Sequence, residues 1–308
     1  MNREQSSGPL SPAGHKAGFV AIVGAPNAGK STLLNHILGE KVAIVTAKPQ
    51  TTRHRILGVL SQPEAQLIFW DTPGLHRPGE VLLNKEMVNR ALAALEDSDL
   101  VLWVVDAKER GSAHQTALEA VREQKKRPLV VALNKSDLLP DKPRLLPLIK
   151  EIQESVSPEL IVPVSAKSGD GVPALLAEII KLLPENPPFY PDDTLTDQPE
   201  RVIAAEMVRE AVFKLTRQEI PYSTAVTIDE FKDEPGLVSI AATIHVEKES
   251  QKGVLIGKGG SMLKKIGESA RFNIERLVGA KVFLKLFVRT TRDWSKKKST
   301  LLEFGYGD

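Results

Sequence analysis

Between residues 18 and 183 the chain alternates short apolar runs with longer stretches whose apolar residues recur every three or four positions. FVAIV (19–23), QLIFWD (66–71), LVLWVVD (100–106), PLVVALN (128–134) and LIVPVS (160–165) predict buried strands. NKEMVNRALAALEDS (84–98) and AHQTALEAVREQKK (113–126) predict helices between them. Strands that are apolar on both faces need a helical layer on each side, so the pattern predicts an α/β unit with a mostly parallel sheet. RHRILGVLS (53–61), a short turn ahead of QLIFWD, predicts one antiparallel edge strand.

The pattern breaks at LPENPPFYPDDTLTDQPE (183–200), which holds five prolines and a scatter of acidic residues. Such a segment cannot continue a helix and is expected to be a linker. Beyond it the order is a helix (200–218), strands at 223–232 and 237–247, a glycine-broken helical pair from 252 to 278, and a strand at 281–290. This αββααβ order predicts a second, α+β domain. The expected divisions are a flexible tail at 1–17, a first domain at 18–183, a linker at 184–200, a second domain at 201–300 and a C-terminal tail at 301–308.

Composition narrows the class. The 308 residues are 42% hydrophobic and 26% charged, and no apolar run approaches the roughly 18 residues that would cross a bilayer. Residues 1–17 have no apolar core of the kind a secretory signal carries, so a cytoplasmic protein is expected. There is no cysteine, which removes disulfides and thiolate zinc sites and directs any metal to oxygen ligands. The net charge of +2 conceals an asymmetry: residues 251–300 carry 13 basic and 3 acidic side chains. A local excess of that size suits a polyanion, although a solvated lysine-rich surface has the same composition.

Five short motifs carry chemistry. Gly24, Gly29, Lys30 and Ser31 satisfy G-x-x-x-x-G-K-[ST] directly after a strand and ahead of a helix, the context in which this pattern cradles phosphates. Backbone N–H groups from Asn27 to Thr32, through Ala28 and Gly29, would surround phosphate oxygens at the positive end of the helix. Lys30 would reach the β- and γ-phosphates and Ser31 would ligate Mg²⁺. Asp71 and Gly74 in FWDTPG end another strand, where a carboxylate can hold Mg²⁺ through water and a backbone N–H can meet the γ-phosphate. In PQTTRHR (49–55) either Thr51 or Thr52 can complete the metal shell when a nucleoside triphosphate is bound. Asn134, Lys135 and Asp137 in ALNKSDLL stand after a further strand, where a carboxylate can accept from the N1–H and amine of guanine and so reject adenine. Ser165, Ala166 and Lys167 in VSAKSG could close the base pocket.

The set GAPNAGKS, TTR, DTPG, NKSD and SAK resembles the translation-factor class of small GTPases, and KPQTTRHRILGV with DTPGLH resembles its Era-like family from Gly18 to the chain's end. The resemblance implies a P-loop G domain followed by a type II KH domain that binds RNA. It also implies GTP/GDP and Mg²⁺ as ligands, with Lys30, Thr51, Thr52 and Gly74 serving hydrolysis. Gly257, Lys258, Gly259 and Gly260 in VLIGKGGSMLKKIG then read as the KH backbone clamp, with Lys264 and Lys265 beside it. The family's target is the small ribosomal subunit near the 3′ end of its ribosomal RNA, a partner that spacing and composition do not show. A monomer is expected.

The chain departs from the Ras pattern at Leu75, which stands where a glutamine orients the attacking water. Slow intrinsic hydrolysis follows, with water placed by backbone, another loop or a partner; His76 is a loop histidine with little claim to act as a base. Asn27 corresponds to an asparagine that holds K⁺ between phosphates in related GTPases. Trp294 in RTTRDWSKKK (289–298) is either an RNA-stacking group or a packing residue. A rival reading makes the protein a nucleotide-gated module whose basic face meets an anionic membrane, peripherally, or a protein partner, with incidental hydrolysis. It would require the apolar side of 261–278 to be free. An ATP-using enzyme is opposed by NKSD.

Overall fold

The computed structural model describes residues 14–77, 81–108, 111–139 and 142–306. The expected tail at 1–17 therefore lies largely outside the described residues, and of the expected tail at 301–308 the last two residues do. The first apolar run forms β1 (Lys16–Val23), flanked by β3 (Ala65–Asp71) on one side and β4 (Leu100–Asp106) on the other. β5 (Leu129–Asn134) and β6 (Leu160–Pro163) extend the sheet beyond β4, all parallel, and β2 (Ile56–Gln62) closes the far edge antiparallel to β3. The order β2-β3-β1-β4-β5-β6 reverses direction around β1, the switch point outside which α/β sheets bind ligands. Register brings Ile22 beside Asp71, and Asp106 beside Asn134, at the carboxyl edge.

Both faces are covered, as strands without a polar side require. α1 (Lys30–Leu38) and α5 (Val172–Leu182) lie over Val20, Ile22, Leu67, Phe69, Leu102 and Val130. α2 (Leu82–Asp97), α3 (Ser112–Glu123) and α4 (Leu146–Val156) cover Ala21, Ile68, Val101, Trp103 and Val131. Trp70 and Trp103 are core residues, as their apolar strands predict.

The segment after α5 is pinned along its length rather than loosely tethered. Gln66 Oε1 accepts the backbone N–H groups of Phe189 and Tyr190 at 2.7 and 2.9 Å, Val59 N–H donates to Leu195 O at 2.8 Å, and Thr196 Oγ1 donates to Leu57 O at 2.6 Å. β2 is an edge strand with backbone groups to satisfy, and the prolines hold the strap extended against it.

The second unit follows the predicted order: α6 (Glu200–Leu215), β7 (Ala225–Glu234), β8 (Leu237–Val246), α7 (Glu249–Ile256), α8 (Ser261–Val278) and β9 (Lys281–Thr290). β8 is central, antiparallel to β7 and parallel to β9. Ile266, Ala270 and Ile274 of α8 are buried in its core with Ile240, Ile244 and Leu255. Beyond β9, α9 (Lys298–Glu303) and the following residues pack inward: Trp294, Leu301, Phe304 and Tyr306 form a cluster with Leu83 and Met87 of α2. Residues 301–306 are thus a docked element. Large apolar side chains at three of six positions stabilise it by burial. Trp294 is fully buried and its Nε1–H donates to Ser223 O at 2.9 Å, which settles it as a packing residue. Among the described residues no helix is long and apolar enough to cross a membrane.

Candidate functional site

The loop between β1 and α1 wraps a cavity of about 420 Å³ at the carboxyl edge of the sheet, walled by Asn27, Lys30, Ser31, Thr52, Gly74 and Lys135 among others. Gly29 turns the chain into α1 at φ 99°, and a Cβ there would lie 2.1 Å from Asn134 Nδ2, so only glycine fits. Ala28 is buried behind the turn and Thr32 lines the cavity.

Lys30 is buried and its ammonium donates to Gly24 O at 3.2 Å and Ala25 O at 2.9 Å. Burial pulls its pKa down to about 8, with Asp71 acting in the opposite sense. Burial likewise pushes the Asp71 carboxyl up to about 6, because desolvation penalises the charged form, against the pull of Lys30 and of the Ser31 and Thr52 hydroxyls. Ser31 Oγ donates to Asp71 Oδ2 at 2.5 Å and lies 2.8 Å from Thr52 Oγ1. Asp71 Oδ1 is buried without a hydrogen-bond partner. Two hydroxyls and a carboxylate with an unspent oxygen form a hard donor set that fits Mg²⁺. Thr51 is directed elsewhere: its hydroxyl lies 2.6 Å from Thr46 Oγ1 and donates to Lys48 O at 2.8 Å. Of the two threonines that the sequence leaves open, Thr52 is the one that joins Ser31.

Next to Lys135 of the cavity wall, Asn134 ties two loops together, donating from Nδ2 to Ala28 O at 2.8 Å and accepting Ala166 N–H at 2.9 Å. Lys135, at φ 65°, pairs with Asp106 at 2.5 Å, and Asp137 is exposed in the short 3₁₀ turn that follows. Ser165 is buried with its N–H on Asp170 O at 2.8 Å, and Lys167 is exposed. The loops at Ala28 and Ala166 are thus tied through Asn134, 106 residues from Ala28, while of Asn134, Lys135, Asp137 and residues 165–167 it is Lys135 that lines the cavity.

The loop carrying Thr51 and Thr52 is gripped by α6 of the second unit, a connection with no short motif to announce it. Glu210 accepts Lys41 Nζ at 2.5 Å and Val45 N–H at 3.0 Å, and Lys48 Nζ donates to Phe213 O and to Thr216 O, the latter at 2.5 Å. Arg209 Nη2 donates to Thr51 O at 2.5 Å while its guanidinium is paired with Glu206. Burial works against the Glu206 charge, but Arg209 overrides it and holds the carboxyl below its usual range. Arg53 inserts the other way, donating to Thr224 O, Tyr222 O and Pro221 O. The available signal is α6 itself, which buries Glu206, Arg209 and Glu210 as well as its apolar residues. A helix buried all round has a partner on both sides.

In the second unit Gly257, Gly259 and Gly260 adopt φ 70°, 60° and 80° between α7 and α8. A Cβ at 259 or 260 would meet nothing within 4 Å, so the turn presents open backbone. Lys258, Lys264 and Lys265 are exposed around it. Among the described residues no group of His, Asp or Glu is arranged to hold a further metal.

Residues 19–135 match the family described as 50S ribosome-binding GTPase, and residues 219–295 match the KH domain, which defines the class as a P-loop GTPase with an appended KH domain. The chain belongs to the Era family of GTPases. GTPase Era of Geobacter metallireducens is 50% identical over 293 residues, covering 94% of this chain and 98% of that protein, and the Pseudomonas putida protein is 44% identical over 95% and 97%. The solved structure of Era in complex with MgGDPNP and nucleotides 1506–1542 of 16S ribosomal RNA superposes with a TM-score of 0.91 at 42% identity, covering 96% of this chain and all of that one. An Aquifex aeolicus Era variant bound to GDP and AlF4⁻ is equally close, with a TM-score of 0.91 and 42% identity over 95% of this chain.

Proposed function

We propose that this GTPase is a nucleotide-switched factor of small ribosomal subunit assembly that binds the 3′ end of the subunit's RNA through its KH domain. The observation that carries the switch is the grip of α6 on the Thr51–Thr52 loop: Glu210 and Arg209 hold the backbone of the segment whose hydroxyl faces the nucleotide cavity. A ligand that orders or releases this loop changes the free energy of one KH placement over another, which is a population shift. The similarity to an Era bound to the 3′ fragment of 16S RNA supports the target. α8 packs Ile266, Ala270 and Ile274 into the core and leaves Phe272 exposed, which is less than the continuous amphipathic face that a membrane reading requires. The division proposed is a G domain at 16–183, two residues earlier than the sequence pattern predicts because β1 begins at Lys16, a strap at 184–199 and a KH unit from Glu200 that takes in the docked residues to 306.

Within the nucleotide site, Ser31, Thr52 and Asp71 are assigned to Mg²⁺, which when bound neutralises charge on the β- and γ-phosphates. Lys30 leaves the carbonyls of Gly24 and Ala25 for the phosphates, and the Gly74 N–H meets the γ-phosphate. Asp137 receives the guanine edge, with Lys135 and the loop at Ser165, Ala166 and Lys167 closing over the base. Asn134 acts by fixing the P-loop against that loop.

The test is anisotropy of a labelled single-stranded RNA matching the 3′ end of small-subunit ribosomal RNA, with GDP and then with a non-hydrolysable GTP analogue. Binding is expected to differ between the two nucleotides and to weaken at least tenfold in Gly259→Asp, where a carboxylate would face the RNA backbone. Binding indifferent to both would sink the reading.

Asn27 adds a second prediction. At φ 62° its Nδ2 donates to Ala47 O at 3.0 Å, so P-loop and switch loop meet at one side chain above the phosphate cradle. We propose that its amide oxygen helps to hold K⁺ there, and hydrolysis in KCl is expected to exceed that in NaCl by tenfold or more, with Asn27→Ala abolishing the difference. Equal rates in the two salts would remove the assignment.

A further inference from the structure

Leu75 is not merely the wrong residue to orient water; it is fully buried, and its N–H is donated to Gly24 O at 3.0 Å. Water attacking a γ-phosphate still has to be aligned by a fixed acceptor. Gln50 is on the cavity wall, in the loop next to Thr51, at a left-handed φ of 58° that turns its backbone away from the strand path. Its Nε2 lies 3.3 Å from His76 Nε2, and His76 Nδ1 lies 2.8 Å from Gly74 O.

The chemistry of this chain assigns its protons. A carbonyl oxygen only accepts, so the proton on a neutral His76 sits on Nδ1 and its Nε2 carries a lone pair. Gln50 must then offer its NH₂ to that lone pair, which orients the amide and leaves Oε1 as the acceptor. The anchor of the chain is Gly74, the glycine proposed to face the γ-phosphate. An amide acceptor fixed from that point is what the missing glutamine would have supplied.

We propose that Gln50 is the water-orienting residue for GTP hydrolysis and that His76 is a positioning residue that holds its amide. The inference rests on the GTPase reading. Water accepts nothing from Gln50 and donates one hydrogen bond to its Oε1. The water oxygen bonds to the γ-phosphorus as the bond from that phosphorus to the β–γ bridging oxygen breaks, and GDP departs with that electron pair. The water's proton passes to a γ-phosphoryl oxygen of the departing phosphate. Gln50 ends the cycle as it began, and no base is consumed.

Single-turnover GTP hydrolysis by the full chain, alongside GTP and GDP affinities, tests this. Gln50→Ala is expected to slow the step by about 10- to 100-fold with both affinities within about threefold. His76→Ala is expected to slow it by about 3- to 10-fold, and the double variant to be no slower than Gln50→Ala, since His76 acts through Gln50. Gln50→Asn keeps an amide on a shorter arm and is expected to fall between. A Gln50→Ala rate within twofold of the parent overturns the proposal, as does a rate loss matched by an equal loss of GTP affinity. Losses that multiply in the double variant overturn the role of His76. A parent chain unable to bind GDP would instead count against the nucleotide-site reading, so the two failures are distinguishable.

Discussion

Gly74→Ala is expected to lower GTP hydrolysis by about a hundredfold or more while GDP affinity changes by less than about tenfold. A Cβ at this position would lie 2.6 Å from Pro26 N, 2.7 Å from Pro26 Cα and 2.8 Å from Pro26 Cγ. Two of these contacts are with backbone of the phosphate loop, which cannot rotate aside as a side chain can. The cheaper response is for the DTPG loop to back away, taking the Gly74 N–H from the γ-phosphate it is proposed to meet. Losing one preorganised donor to a transition-state charge costs about 10²- to 10³-fold in rate. GDP has no γ-phosphate, so its affinity senses only the smaller disturbance at Pro26. Turnover and GDP titration with the variant check this, and a rate within tenfold of the parent would show that the loop absorbs the methyl.

Arg53→Ala is expected to uncouple the two domains. The guanidinium is buried and donates to Thr224 O at 2.6 Å, Tyr222 O at 2.8 Å and Pro221 O at 3.3 Å, all three in the KH unit. It also lies over the rings of Phe213, Trp294 and Tyr306 at 5.9, 5.6 and 5.6 Å. Burial, with Arg209 nearby, holds its pKa below the ordinary arginine range, while Tyr306 and the Glu206 carboxylate act in the opposite sense. Truncation strips three carbonyls of a charged donor and opens a hole under the tryptophan. A loss of about 3 kcal/mol in stability follows from unpaired buried groups of this kind. The more telling result is functional: the ratio of RNA affinities with GTP analogue and GDP should fall towards one, although neither the nucleotide cavity nor the GKGG turn has been touched. Arg53→Lys, which keeps charge but not the fork, should fall between. An unchanged ratio would place the coupling elsewhere, with Glu210 the next residue to substitute.

Much of the site was legible because its parts are local. A strand-loop-helix with two glycines and a lysine builds its own phosphate cradle, and NKSD and DTPG each follow a strand whose carboxyl end must reach the same edge of a parallel sheet. The αββααβ order of the second unit was legible for the same reason, since period and glycine placement report backbone geometry within a few residues. The strap at 184–199 was legible as a break in pattern but not as an edge cover, because its partners Leu57, Val59 and Gln66 lie more than a hundred positions upstream.

By itself, then, the sequence determined the two folds, the phosphate and base motifs and the family to which they belong. Each of these rests on residues adjacent in the chain, where spacing dictates shape. Only the tertiary structure decided that Thr52 rather than Thr51 joins Ser31, that Trp294 is interior and that Gln50 meets His76. It also decided that Arg53, Arg209 and Glu210 lock the switch loop to the KH domain. Those choices depend on which groups burial brings together across 21 to 171 positions and on the cost of leaving any of them unpaired, and neither quantity is written in a local pattern.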